Sequence, residues 1–331
     1  MIKNWKRVGV VAGLSFTLVA AGCGEGEEEV EENGGDDAAD ETEMDDEDDE
    51  DDEDDEDDAD EEDAGGEAGA YNEELDYTIT GIDAGAGVMA SAEQAIEDYD
   101  LDFDLQASSD AAMIGALDDA INNEEPIVVT AWDPHYKFAE HDLKYLDDPE
   151  GSFGEAEDIH TIVRDGLEED MPEAYEILDN FHWEGDHMEE VMLDIYEGTA
   201  EEEAAREWVD NNEDIVEDWV DGVDEGDGET IELTLVAWDS EIASTNVIAQ
   251  VLEDHGFEVE MSALEANHMF TSVANGDSDA MVAAWLPGTH EAYYEDMEDD
   301  FVDLGANLEG AAIGLAVPAY MDIDSIEDLQ D

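Results

Sequence analysis

The chain carries 104 Asp and Glu against 7 Lys and Arg, a formal charge of -97 over 331 residues, and this acidity decides which parts of it can fold. Residues 24–74 hold 32 of those carboxylates and no basic residue, and every position from Asp45 to Asp58 is acidic. Such a stretch has almost no apolar surface to offset the entropy of ordering, and its charges repel one another. It predicts an extended tether reaching at most roughly 3.3 Å per residue, whose job is spacing. Like-charge blocks also serve as calcium- or partner-binding tails, the alternative for this segment.

The remaining 257 residues still carry 72 carboxylates against four cations, Lys137, Lys144, Arg164 and Arg206. At low ionic strength a surface this acidic repels itself and weakens the compact state. Concentrated salt removes the penalty, because the Debye length falls to about 3 Å at 1 M. The composition implies a halophilic chain facing brine, and it argues against nucleic acid as a partner.

The N-terminus accounts for the other three cations. Lys3, Lys6 and Arg7 precede the apolar stretch Val8 to Ala21, too short to span a bilayer and patterned as a secretory signal. It closes with Leu18-Val19-Ala20-Ala21-Gly22-Cys23, the only cysteine of the chain. That ending resembles the lipobox of bacterial lipoproteins. The resemblance implies removal of residues 1–22, lipidation of Cys23, and an extracytoplasmic protein anchored to the cell membrane. One cysteine permits no internal disulfide.

From residue 75 short apolar runs alternate with helical patterns, predicting an α/β fold with parallel sheets covered on both faces. Thr78 to Ile82 reads as a strand leading through Gly85-Ala86-Gly87 into a helix from Val88 to about Tyr99. Ser109 is placed to cap a helix with Ala111, Ala112, Ile114, Leu117 and Ile121 on one face. Residues 172–221 read as successive acidic amphipathic helices with Trp183, Trp208 and Trp219 in the core. Further on, a helix from Ser240 to His255 stops at Gly256. Strands are expected at 259–261, 281–284 and 312–317, with a helix over 267–274.

Three of the apolar runs end in Ala-Trp: Val128 to Trp132, Leu235 to Trp238 and Val282 to Trp285. In open α/β sheets ligands bind beyond the carboxyl ends of such strands, so the three indoles are candidates for one site. A single tryptophan is more often a core or rim residue. Three repeats of one pattern favour an aromatic cage for a quaternary ammonium, each desolvated contact contributing roughly 2 kcal/mol. No nucleophile elbow, zinc-binding HExxH, dinucleotide fingerprint or phosphate loop is present, which argues against an enzyme.

The motifs around these tryptophans resemble the glycine betaine-binding lipoproteins of osmoregulatory ABC transporters. They are Gly81-Ile82-Asp83-Ala84-Gly85-Ala86-Gly87-Val88-Met89, Trp132-Asp133-Pro134-His135 with 142–149 behind it, Trp238-Asp239-Ser240-Glu241-Ile242-Ala243-Ser244-Thr245-Asn246, and Trp285-Leu286-Pro287-Gly288-Thr289-His290. The resemblance covers nearly all of 77–331. It implies a type II two-lobed periplasmic-binding-protein fold, each lobe a mainly parallel sheet flanked by helices, with the cleft between lobes. Trp132, Trp238 and Trp285 would box the trimethylammonium group. The main-chain amides of Gly87 and Val88, with His290, would hold the carboxylate. A helix start suits that anion, and a glycine lets it approach the main chain. A histidine donates more strongly if protonated.

His135 reads as a rim or structural residue, and Tyr136 and Phe270 stand where relatives often carry tryptophan. The order of segments resembles a circularly permuted subgroup. One lobe would comprise 75–158 with 312–331 and the other 159–311, closing on the ligand and presenting it to the permease. The expected unit is a monomer with no cofactor and no metal. Choline, carnitine or proline betaine are alternative ligands, and a ligand-sensing ectodomain is the alternative role for the same fold.

Overall fold

The computed structural model describes residues 68–331. The signal segment, Cys23 and most of the acidic tether lie outside those residues. The folded part starts earlier than residue 75. Gly69 N–H donates to the Asp328 carbonyl at 2.8 Å, and Asn72 Nδ2 donates to the Leu329 carbonyl at 3.0 Å. The end of the expected tether is thus pinned to the C-terminal segment.

The first elements are β1 (Thr78–Thr80), α1 (Gly87–Asp98), β2 (Asp104–Gln106), α2 (Asp110–Asn123), β3 (Val129–Asp133), α3 (Lys137–Glu140) and β4 (Leu143–Tyr145). The chain then runs through β5 (Glu157–Arg164) into a helical stretch: α4 (Leu167–Asp170), α5 (Pro172–Asn180), α6 (Gly185–Tyr196), α7 (Glu201–Asn211) and α8 (Glu213–Val220). Last come β6 (Thr230–Leu235), α9 (Asp239–Asp254), β7 (Glu258–Ala263), α10 (Ala266–Asn275), β8 (Ala280–Leu286), α11 (Glu291–Met297) and β9 (Phe301–Pro318). Among the described residues no helix is long and apolar enough to cross a membrane.

Local chemistry sets the boundaries. Ser109 caps α2 by accepting from the Ala112 N–H, and α5 begins at Pro172, where the missing N–H costs nothing. Gly256 ends α9 with φ of 93°, a conformation other residues adopt at a penalty. The buried stripe of α2 is Met113, Ile114, Leu117 and Ala120. Ala111 and Ala112 face solvent, contrary to the predicted face, because the stripe starts at the buried Asp110 and repeats at helical spacing through Met113, leaving these two positions off it.

The fold is α/β, but its sheet is only partly parallel. The strand order is β2-β1-β3-β9-β5-β8-β6-β7, with β4 also on β9. Pairings at the two outer ends are parallel, β1 with β2 and β3, and β6 with β7 and β8. Those in the middle, β3 and β4 with β9, and β5 with β8 and β9, are antiparallel. The central strand is 18 residues long, three times the run Ala312 to Val317 that its apolar residues suggest. Its first part, through Ala311, pairs with β5, and from Ala312 it pairs with β3. Acidic and glycine residues such as Asp303, Gly305 and Gly310 disguise that first part. They face histidine, carboxylate and solvent instead of core. One strand therefore runs through both halves of the sheet and holds them side by side.

The three core tryptophans pack as expected, on α7 and α8 for Trp208 and Trp219. Trp183 lies instead in the connector between α5 and α6, where its main-chain N–H donates to the Asn307 carbonyl of β9 at 2.9 Å.

Candidate functional site

The chain's three Ala-Trp endings meet. Trp132 is the fourth residue of β3, Trp285 the sixth of β8, and Trp238 stands three residues past β6 as the cap of α9. They line one cavity together with Ile82, Ala86, Gly87, Val88, Ser240, Thr289 and Ile313. About 320 Å³ of atom-free space lies among these residues, part of it open to solvent. Two of the three tryptophans are thus inside strands and one beyond its strand. The shared feature is the end of the sheet they occupy.

At one end of the cavity α1 begins. This helix has no side-chain cap and no acidic residue in its first turn, so no side chain of the helix meets the N–H groups of Gly87 and Val88. The glycine has a further reason. A Cβ at Gly87 would collide with the carbonyl of Thr289 from the opposite segment, so any side chain there would hold the two segments apart.

His290 is fully buried behind Trp238, ring planes 16° apart and centroids 6.1 Å apart, and is not part of the cavity lining. Its Nδ1 accepts the Trp285 N–H at 3.1 Å, which puts the ring proton on Nε2. That Nε2 is buried without a partner. Burial pulls the pKa of His290 down to about 3, so the ring is a neutral donor throughout the ordinary pH range.

His135 repeats the arrangement in the other half. It is completely buried and not at a rim. Its Nδ1 accepts the Lys137 N–H at 3.1 Å, and its Nε2 lies 3.8 Å from Asp239 Oδ2. Asp110, His135 and Asp239 bring ligand-type atoms within 4.8 Å of one another. The nitrogen facing those carboxylates bears the proton, so the trio offers a donor where a metal needs a lone pair. Tyr136 packs on His135 at 4.7 Å and Phe270 on His290 at 5.4 Å. Both are core rings that back the histidines, away from the cavity.

Glu157 and Tyr293 support the site without any warning in the sequence, while Glu241, Asp83 and Gly85 lie within the quoted motifs. Glu157, the first residue of β5, is buried and accepts from Gly288 N at 3.1 Å, Thr289 N at 2.8 Å and the Thr289 hydroxyl. It fixes the loop that presents Thr289 and His290. Glu241 accepts from Val236 N at 2.5 Å and so steadies the segment before Trp238. Its complete burial raises its pKa to about 8, against the opposing pull of that N–H. Across the mouth, Trp238 Nε1 donates to Asp83 at 3.2 Å and the Tyr293 hydroxyl donates to the Gly85 carbonyl at 2.9 Å. Ser240 and Thr289 lie inside the quoted motifs, so their lining role was within reach of the sequence.

An α/β sheet with an aromatic cavity at one end and open N–H donors at a helix start has the features of a ligand-binding site. The chain belongs to the family described as the substrate binding domain of ABC-type glycine betaine transport systems, which matches residues 56–211 and 229–331. It is 55% identical over 262 residues to a glycine betaine/carnitine transport binding protein of Listeria monocytogenes, spanning 78% of this chain and 87% of that one. Among solved structures, lactococcal OpuAC in its closed-liganded conformation complexed with glycine betaine is 49% identical, with a TM-score of 0.42. That match covers 44% of this chain and 57% of the other. An ABC-transporter choline binding protein in complex with choline is 26% identical with a TM-score of 0.43, covering 56% and 62%. Both structural matches span less than two thirds of the other chain's length.

Proposed function

We propose that this protein binds glycine betaine or a closely related quaternary ammonium osmoprotectant and delivers it to the permease of an ABC importer, catalysing no reaction itself. The observation that carries the reading is the convergence of Trp132, Trp238 and Trp285 on one cavity with unpaired donors at its end. The trimethylammonium group cannot donate a hydrogen bond, so indole faces are what recognises it. The carboxylate would lie against the N–H groups of Gly87 and Val88, with the Nε2–H of His290 as the third donor. The names of the Listeria and lactococcal relatives support this choice of ligand.

In this reading residues 75–158 with 312–331 form one lobe and 159–311 the other, in circularly permuted order. The change of partner along β9 at Ala311 and Ala312 supports that division. Ligand touching both lobes favours the closed form, which the permease would recognise. The signal and Cys23 would place the protein outside the cytoplasm on a lipid anchor. The acidic tether would hold it off the membrane, in a salt-rich medium where contact forces replace long-range steering.

The test is a titration of intrinsic tryptophan fluorescence in concentrated salt with glycine betaine, proline betaine, carnitine and choline. Ligands bearing a carboxylate should bind most tightly. Choline binding as tightly as glycine betaine would remove the roles of Gly87, Val88 and His290, and no response to any of the four would overturn the function.

A further inference from the structure

Of the four basic side chains in the folded part, three hold surface carboxylates. Lys144 pairs with Asp324, Arg164 with Asp170 and Asp279, and Arg206 with Asp210 and Asp254. The fourth, Lys137, is completely buried, and no carboxylate among the described residues meets it at ion-pair distance. Its Nζ lies 4.0 Å from the centroid of the Trp132 ring and donates to the Trp132 carbonyl at 3.4 Å. The Phe138 ring is 5.4 Å away. Trp132 lines the cavity and Lys137 does not, so the amine touches the indole without being part of the ligand space.

Burying an amine without an ion pair is unfavourable, and an apolar side chain of the same length would fill the space without that penalty. What the amine does have is a face of Trp132. Both faces of an indole draw on one quadrupole, and buried like charges are poorly screened even in strong salt. We propose that Lys137 limits the affinity of the aromatic box: its ammonium opposes the ligand's quaternary ammonium across Trp132 and keeps the box weaker than three indoles alone would make it. This rests on the betaine reading above. A carrier that must surrender its ligand to a permease gains from a faster off-rate, and most tuning of affinity acts there.

The opposing charge depends on pH. Asp110 on α2, Asp133 at the end of β3 and Asp239 at the start of α9 face the amine. His135 and Tyr136 lie on its own turn. Burial moves Lys137 well below the ordinary lysine range, against the pull of the three carboxylates, and moves Asp110 well above the ordinary carboxylate range, with Asp239 adding to the rise. Raising the pH through neutrality removes positive charge from Lys137 and adds negative charge at Asp110. Both changes favour a bound cation, so affinity rises with pH, and by linkage binding releases protons. His290 and His135, kept neutral by burial, contribute nothing to this trend.

The experiment is calorimetric titration of glycine betaine in concentrated salt from about pH 6 to about pH 9, in two buffers of different ionisation enthalpy, for wild type, Lys137→Met and Lys137→Arg. Wild-type affinity should rise about three- to tenfold across that range, with proton release near neutrality. At the acid end Lys137→Met should bind more tightly than wild type by a similar factor, and Lys137→Arg should stay weak throughout. Equal or weaker binding by Lys137→Met at the acid end, with wild type still binding, overturns the assignment and leaves the betaine reading intact. If neither variant folds, wild-type binding with no proton release overturns it equally. Wild type that binds no betaine at any pH defeats the functional reading first, and this one with it.

Discussion

Two sets of three tryptophans are buried in this protein, and they differ in what their ring faces meet. Trp183, Trp208 and Trp219 face one another: Trp183 stands edge-on to Trp208 at 5.5 Å, and Trp208 stacks on Trp219 at 6.0 Å. Phe181 completes the cluster against Trp219 at 4.9 Å. Trp132, Trp238 and Trp285 come from three separate segments, and among the described residues none of them stacks on another. The first set has consumed its π-surface in packing. The second leaves it turned toward a cavity, with Lys137 4.0 Å from the Trp132 ring and His290 and Asp83 against Trp238. Buried tryptophan is therefore two different things in one chain, distinguished by whether the indoles find each other.

The sharpest way to break that contrast is Trp208→Ala. Deleting the central ring of the packed set should cost about 3 to 5 kcal/mol of stability, measured by denaturant unfolding in concentrated salt. Betaine affinity of the protein that remains folded should be unchanged. A large loss of affinity with little loss of stability would make Trp208 part of the site and erase the distinction.

Glu241 tests whether the box side is held by its own supports. This carboxyl keeps its proton in the fold to about pH 8, while an unfolded glutamate loses it near its ordinary value. Between those two limits the native state binds more protons than the unfolded state, so its stability falls as pH rises and the contribution is gone above the upper limit. Glu241→Gln copies the protonated form. It should match wild type only at about pH 4 and below, and exceed it increasingly as the pH rises toward about 8, by about 2 to 4 kcal/mol near the top of that range. Parallel pH profiles of melting for the two proteins would show that Glu241 is ionised where it lies.

Trp238→Ala and Trp285→Ala should do the reverse of Trp208→Ala. Each removes one open face and should weaken betaine binding by about 1 to 3 kcal/mol, roughly five- to 150-fold in Kd. Loss of stability should be the smaller effect, since these rings lack indole partners. Binding that persists at full strength would return them to the core class.

How far this was visible in the sequence follows from the same contrast. The Ala-Trp endings, the capping Ser109 and the Gly256 stop are local signals, and each sits where its local chemistry puts it. The first part of β9 and all of β5 are not local. Asp303 and Asn307 look like loop residues until His160, Thr161 and the Val282 carbonyl satisfy them. Polar residues in a central strand are stabilised by partners more than twenty positions away, and no window of the sequence contains both. The same reason hid Lys137 and Glu157: a lone charge in an acidic chain reads as surface until the fold buries it beside an indole or a loop. His290 was legible as a residue, but its neutral Nε2–H form depends on the Trp285 N–H and on burial.

The smallest expected effect concerns the mouth of the cavity. Tyr293 on α11 donates to the Gly85 carbonyl ahead of α1, and Trp238 Nε1 donates to Asp83 beside it. These two bonds tie the glycine-rich turn to the segments that carry Trp238 and His290, and neither touches the interior of the box. Tyr293→Phe keeps the ring against Phe270 and deletes one of the two bonds. Such a bond contributes about 0.5 to 1.5 kcal/mol net, and it exists only while the two sides are together. Its loss should therefore appear in release: stopped-flow tryptophan fluorescence should show betaine leaving about two- to tenfold faster, with the association rate unchanged. An unaltered dissociation rate would mean that the turn and α11 stay joined without it, and that closure is decided by the indoles alone.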